Sequence, residues 1–312
     1  MSVLMIFIDG MGLGEPDPAK NPLVTTPMPN LRRLLDGAPL TRALLPDPGA
    51  LYEAGEAVLA AVDSCLGVPG LPQSATGQTT MLSGVNAAAV LGRHLSGLPT
   101  PTLVEILRQH SLFKQLRAAG HRATFANPFT AEYFEAVHSG RWRHSATTTA
   151  LLSAGLPVRM LEDLQAGRAV FHDVTGETLR ERGYDVAPVP PAEAGRRLAR
   201  LAAEHEFTLF EHFLTDKAGH AQDWEAAGHW LGVLDAFLGG VLAEVDLDRT
   251  LVMIISDHGN VEDLSVPTHT VNPVPVVLAG RGRRQVAARL KSLVDVTPAI
   301  VAWLDGGGAA GG

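Results

Sequence analysis

Asp257 and His258 stand side by side in Ser256-Asp257-His258-Gly259-Asn260, directly after an apolar run at 251–255. A buried strand ending this way presents a carboxylate and an imidazole at its carboxyl edge, where open α/β sheets do their chemistry. Both residue types suit a divalent metal such as Zn²⁺ or Mn²⁺. His269 follows in Thr268-His269-Thr270-Val271-Asn272-Pro273. A second apolar run, 3–8, closes on Asp9-Gly10-Met11-Gly12, which reads as a central strand with an aspartate at its tip. After a third run at 207–214, Asp216 and His220 lie four residues apart, so one helical turn aims both at one point.

A nucleophile is available between these segments. Ser74 and Thr76 both lie at the start of a short helical pattern in Pro72-Gln73-Ser74-Ala75-Thr76-Gly77-Gln78. A hydroxyl at a helix N-terminus sits in positive potential, which favours an alkoxide and the anion it attacks. A metal touching Ser74 would supply its activation without a separate base. The charges suit a pair of ions: two divalent cations bring +4, while Asp9, Asp216, Asp257 and a Ser74 alkoxide bring −4. A phosphoryl dianion would then meet no net repulsion. Two metals about 3.5–4 Å apart can clamp the attacking and leaving oxygens of an in-line displacement.

These segments resemble the alkaline phosphatase superfamily of two-metal phosphotransferases, and most of all its cofactor-independent phosphoglycerate mutase and phosphopentomutase branch. Asp257 to Glu262 and His269 to Pro275 match that branch almost letter for letter. Thr26-Pro27-Met28-Pro29-Asn30-Leu31 is similar to the superfamily's Thr-Pro-Asn-Leu element with one residue inserted, and Ser74 lies ten positions before Gly84, the superfamily's spacing. The resemblance implies that Asp9, Ser74, Asp257 and His258 hold one metal and that Asp216, His220 and His269 hold the other. It favours Ser74 over Thr76 as nucleophile. Two departures stand out. The mutases carry Gly-His where this chain has Gly77-Gln78, and their large inserted domain has no counterpart in the stretch between Ser74 and Asp216.

Stepping from strand to strand, the pattern is α/β: a mostly parallel sheet with helices on both faces, plus a small inserted cap. Helices are expected at 28–35, 102–119 (one or two, stopped by Gly120), 192–204, 224–245 and 295–304, and strands at 57–62, 122–126, 250–255 and around Leu278. The core is assigned to 1–130 and 192–305. The irregular stretch 131–191 is read as the cap, closing over the sheet edge, and 306–312 as a flexible glycine-rich tail. Arg141, Arg143 and His144 in the cap, and Arg93 and His94 outside it, are candidate substrate contacts, because guanidinium suits phosphate and carboxylate.

A 46% apolar fraction supports a well-cored chain, and a net charge of −8 with no basic run argues against a nucleic-acid surface. An anionic substrate remains compatible, since bound cations invert the local sign. The single cysteine, Cys65, forms no internal disulfide and suits a reducing, cytoplasmic setting. No run of 18 consecutive apolar residues occurs, so no membrane span is expected. The expectation is a metal-dependent hydrolase or phosphotransferase using two divalent ions (Mn²⁺ or Zn²⁺) on a small phosphorylated substrate. A phosphomutase, a sulfate or phosphonate esterase, and a non-catalytic metal-binding module are the alternatives.

Overall fold

The apolar runs pair with one another at the centre of a sheet. The computed structural model describes residues 1–45 and 47–306. Its strands are β1 (Ser2–Ile8), β2 (Leu51–Glu53), β3 (Ala57–Val62), β4 (Ala123–Phe125), β5 (Pro128–Phe129), β6 (Arg159–Met160), β7 (Phe207–His212), β8 (Thr250–Ile255) and β9 (Val274–Gly280). Seven of them form one sheet in the order β2-β3-β9-β8-β1-β7-β4, while β5 and β6 pair separately. β8, β1, β7 and β4 are mutually parallel. β9 enters antiparallel between β8 and β3, and β2 pairs antiparallel at the edge. The expected parallel sheet is therefore mixed: parallel where the candidate ligands arise, antiparallel beyond β8.

Side-chain alternation along β1 divides the interior in two. Val3, Met5 and Phe7 join a core cluster that includes Leu112, Phe113, Leu151 and Ile300 on one face of the sheet. Leu4, Ile6 and Ile8 join Leu34, Leu198, Phe237 and Val241 on the other. Both faces are covered, which is why the central strands read as unbroken apolar runs with no polar alternation.

Helices form close to their expected places: Pro29–Leu34, Pro191–Ala203, Trp224–Glu244 and Val296–Leu304, with 102–119 split into Pro101–His110 and Leu112–Ala118. Ser111 makes the break, its hydroxyl accepting from the Lys114 amide to cap the second helix. Trp224–Glu244 is by length and composition apolar enough to cross a membrane, although the sequence contains no 18-residue unbroken apolar run. Its inner side, including Leu231, Leu234, Phe237 and Val241, packs into the core against β1 and the Pro191–Ala203 helix. Asp235 on this helix accepts from the Asn30 and Leu31 amides at 3.2 and 2.8 Å. The Thr26–Leu31 element thus braces the start of the Pro29–Leu34 helix and supplies no ligand.

The stretch 131–191 divides into two parts. Helix Ala146–Ser153 buries Ala146, Ala150 and Leu151 in the first core cluster, so it is integral to the fold. Its alanines, threonines and leucines show no one-sided pattern because nearly every side is enclosed. Leu164, Ala169, Phe171, Leu179 and Val186 form a separate small cluster of their own. Of the expected tail, Gly306 ends a turn and 307–312 lies outside the described residues.

The Pro191–Ala203 and Trp224–Glu244 helices cross through glycines. A Cβ on Gly240 would stand 1.9 Å from the Ala192 carbonyl oxygen, and one on Gly195 would stand 2.1 Å from that of Phe237. Gly232, on the same long helix, has nothing within 4 Å of an added Cβ. Gly240→Ala should therefore destabilise the protein by about 2 kcal/mol or more in urea denaturation, whereas Gly232→Ala should be neutral or stabilise by up to about 1 kcal/mol. Equal effects would show that the crossing is not tight.

Candidate metal centre and nucleophile

The strand register sets the site. Ile8 pairs with His212 and Phe7 with Ile255, so β1, β7 and β8 end at one level. Asp9 leaves the tip of β1 and Asp257 that of β8, while β7 runs into helix Leu214–Ala221, which carries Asp216 and His220. Ser74 is the first residue of helix Ser74–Met81. Gly77 lets that helix lie against the Asp257 backbone, for an added Cβ would be 3.0 Å from the Asp257 carbonyl oxygen. Gly10, at φ 71°, turns the chain past Asp216 at a distance no Cβ tolerates.

All seven sequence-predicted ligands, Ser74 among them, converge here. Around His258 Nε2 lie Ser74 Oγ at 2.9 Å, Asp9 Oδ1 at 3.2 Å and Asp257 Oδ2 at 3.6 Å. Around Asp216 lie His220 Nε2 at 3.4 Å from Oδ2 and His269 Nε2 at 3.5 Å from Oδ1. Asp216, His220 and His269 form one potential metal-binding group, and Asp9, Asp216 and His258 form an adjoining one. The His258 and His269 rings stack, with centroids 3.7 Å apart, joining the two groups. His258, Asp257 and His269 are buried, while His220 is exposed, so the second group opens toward solvent.

Three features fit cations. First, His220 and His269 each place Nδ1 against a backbone carbonyl, of Pro267 at 2.9 Å and of Pro72 at 2.7 Å. With those nitrogens donating, both Nε2 atoms face each other as lone pairs at 3.0 Å, an arrangement a positive ion relieves. Second, Asp9 Oδ1 and Asp257 Oδ2 are buried without a hydrogen-bond partner. Third, negative charge is crowded. Burial, then the Asp216 and Glu211 charges, push the Asp9 carboxyl well up; burial and the Asp9 charge do the same to Asp257. Burial raises the Asp216 carboxyl too, but with His269 and His258 protonated their hydrogen bond and charge, together with the Asn260 amide, outweigh it and hold it at about 2.

Polar neighbours orient these groups. Gln78 Nε2 donates to Asp9 Oδ2 at 3.1 Å, which gives the Gln at the mutase Gly-His position a part in the site. Asn260 Nδ2 donates to Asp216 Oδ1 at 2.7 Å. Buried Glu262 ties three segments together. Its Oε2 accepts from the Gly12 and Asn260 amides at 2.9 and 2.7 Å, and its Oε1 accepts from the Thr270 hydroxyl and from Asn272 Nδ2.

Sequence reasoning passed over Glu211 and Thr147. Glu211 sits near the end of β7 and accepts from the Thr147 hydroxyl at 2.6 Å. Burial pushes its carboxyl up to about 7. A charged residue interrupting a buried strand at 207–212 was the available signal.

The five candidate substrate contacts separate. Arg93 is exposed beside a groove that Gln73 also lines. His94 turns inward, with Nε2 3.1 Å from the Cys65 and Val68 carbonyls, and so serves as a loop brace. His144 Nδ1 pairs with the Tyr133 hydroxyl at 2.9 Å. Exposed Arg141 donates to Ser139, and exposed Arg143 donates to the Pro99 carbonyl at 3.3 Å.

Residues 184–305, which carry Asp216, His220, Asp257, His258 and His269, match the Metalloenzyme superfamily. A 127-residue stretch is 31% identical to the 2,3-bisphosphoglycerate-independent phosphoglycerate mutase of Dinoroseobacter shibae, covering 38% of this chain and 25% of that protein. The mutase of Thermococcus kodakarensis is 24% identical over 141 residues, covering 41% of this chain and 34% of that protein. The match thus spans only about a quarter to a third of these relatives' length. Among solved structures, the PH0037 protein from Pyrococcus horikoshii has a similar fold (TM-score 0.59, 16% identity, 97% of this chain and 96% of that one). So does a cold-active alkaline phosphatase from a psychrophilic Shewanella (TM-score 0.50, 12% identity, 97% and 100%). The C-terminal part of the chain thus resembles the Metalloenzyme superfamily, and the fold is similar to that of an alkaline phosphatase. Within that superfamily the chain resembles the cofactor-independent phosphoglycerate mutases.

Two measurements follow. In metal-free protein, Asp9, Asp257 and Glu211 keep protons that the unfolded chain releases. Their contribution to stability should be fully present at low pH and be lost as pH rises, for Glu211 between about 4.5 and about 7, by roughly 3 kcal/mol, against the opposite trend of Asp216 and Glu206, whose carboxyls are held at about 2. Glu211→Gln should flatten that fall, and a divalent ion, which binds the ionised forms, should oppose it; a pH-independent melting temperature in metal-free protein would contradict the assignment. Glu262→Ala strands four donors, and metal affinity measured by competition with a chelator should drop about 10–100-fold.

Proposed function

We propose that the chain is a two-metal-dependent phosphoester hydrolase or phosphotransferase working through a phosphoseryl intermediate on Ser74. The observation that carries this reading is the meeting of Ser74 Oγ, Asp9 Oδ1 and Asp257 Oδ2 around His258 Nε2. A structural metal cluster has no need of a serine hydroxyl at that point. Asp9, Ser74, Asp257 and His258 would hold one ion, and Asp216, His220 and His269 the other. Two bound divalent ions, Mn²⁺ or Zn²⁺, would lower the pKa of the Ser74 hydroxyl and offset the charge of a phosphoryl group.

Ser74 Oγ attacks phosphorus and the substrate's alcohol oxygen leaves with the bonding pair, taking up a proton. Helix Ser74–Met81 directs its positive end toward the phosphoryl oxygens. Water then attacks the phosphoserine, inorganic phosphate departs and the Ser74 hydroxyl is restored. Exposure on the His220 side supports water as acceptor. A second substrate hydroxyl as acceptor gives the mutase outcome, which the sequence relatives favour. A mutase must keep water out while its substrate turns over, and what is left of 131–191 outside the core helix Ala146–Ser153 to act as a cap offers little to do so.

Ser74→Ala should lower p-nitrophenyl phosphate turnover by about 10³-fold or more while bound metal, measured by elemental analysis, stays at the wild-type level. Wild-type turnover in that variant would remove Ser74 as nucleophile. Free phosphate as the sole product from phosphoglycerate and pentose phosphates would reject the mutase outcome.

A further inference from the structure

Three exposed aliphatic side chains border the open end of the site: Leu71, Val266 and Val271, which are 37, 37 and 63% exposed. Each adjoins backbone that holds the solvent-side histidines. Leu71 precedes Pro72, whose carbonyl accepts from His269 Nδ1 at 2.7 Å. Val266 precedes Pro267, whose carbonyl accepts from His220 Nδ1 at 2.9 Å. Val271 follows His269 by two residues, and its carbonyl lies 3.9 Å from Cys65 Sγ, on the loop that leads to Leu71. Because His220 Nε2 and His269 Nε2 are 3.0 Å apart, the three aliphatics share one opening.

The segments that carry them are uncharged. Residues 64–92 and 264–280 contain no Asp, Glu, Lys or Arg, in a chain that is 19% charged. Arg93 ends the first segment and lines a groove with Leu71, so the two valines form the side of the opening that no charge adjoins in sequence. A single exposed aliphatic residue is ordinary, but several around one opening mark a binding surface. The chemistry of the site says what covers it. In an in-line displacement the leaving oxygen lies opposite the attacking one. Ser74 Oγ stands at the enclosed end, 2.9 Å from His258 Nε2, and the stacked His258 and His269 rings lead from there to exposed His220. The alcohol part of a phosphoester attacked by Ser74 is thereby directed to the opening. A sugar or carboxylate there would lose hydration against aliphatic side chains, whereas an apolar chain would gain by burial.

We infer, resting on the phosphoester reading above, that the site selects phosphate monoesters of apolar alcohols and that Val266 and Val271 are specificity-determining residues which contact the alkyl or aryl leaving group. The Ser74 end takes the transferred phosphoryl group, and the valine end takes the hydrocarbon.

The test titrates Mn²⁺-loaded protein with methylphosphonate, butylphosphonate and hexylphosphonate in a calorimeter. These ligands differ only in hydrocarbon length and hold phosphorus on a carbon that Ser74 does not displace. Affinity should rise about two-fold or more per methylene, hence roughly thirty-fold from methyl to hexyl. Val266→Thr combined with Val271→Thr keeps the side-chain shape while replacing one methyl of each by a hydroxyl, and should cut that rise about five-fold or more. Affinity independent of chain length while methylphosphonate still binds, or a rise unchanged in the double variant, overturns the apolar-alcohol assignment alone. Binding of none of the three overturns the phosphoester reading, and this inference with it. Sedimentation of the same two proteins adds another arm: a dimer that the double variant loses would mean that a second copy covers the opening, which also overturns the assignment. In turnover, the ratio of kcat/KM for hexyl phosphate over ethyl phosphate should move in parallel with the binding ratio.

Discussion

Three carboxylates forced together at one sheet edge are the constraint around which this molecule is arranged. Asp9, Asp216 and Asp257 raise one another's energy when ionised, and burial adds to that cost at Asp9 and Asp257. Nothing among the three attracts the others; the scaffold alone brings them together. The central strands supply the necessary rigidity, because they are enclosed on both faces and end at one level. Positive charge is what such an arrangement lacks, and the facing Nε2 atoms of His220 and His269 ask for the same thing.

The loops that leave those strands are kept in place by hydrogen bonds to a single buried carboxylate. Glu262 reaches the turn after β1, its own loop and the segment after His269. Glycine makes this possible at Gly12 and Gly259, where an added Cβ would fall within 2.3 Å of the Glu262 side chain. Asn260 and Gln78 then donate to Asp216 and Asp9. The result is a site enclosed around His258 and open to solvent at His220.

Much of this was legible in the residue order. The strand-tip aspartates, the Asp216–His220 spacing and the Asp-His-Gly turn all point at one edge, and the structure assembles them there. Other features were not legible. Arg93 and His94 are adjacent and equally polar, yet one faces a groove and the other braces a loop, a choice made by carbonyls 26 and 29 residues away. The Thr26–Leu31 element, similar to a superfamily motif, is a helix start held by Asp235, a partner no local pattern announces. Helix Ala146–Ser153 was lost in an irregular stretch, because eight residues of small side chains enclosed nearly all round carry no period.

What the sequence determined by itself was the chemistry on offer: which side chains stand at strand tips, that they sum to a charge two divalent ions would balance, and that apolar runs long enough to be enclosed on both faces carry them. Local pattern suffices for that, since a strand end is a local event. What only the tertiary structure decided was the meeting itself. The common level of β1, β7 and β8, the antiparallel insertion of β9, and the placing of Glu211 near Asp9 with Thr147 bonded to it all depend on contacts between residues tens to hundreds of positions apart. Such contacts are settled by packing and by the pairing of buried polar groups, and neither leaves a periodic trace along the chain.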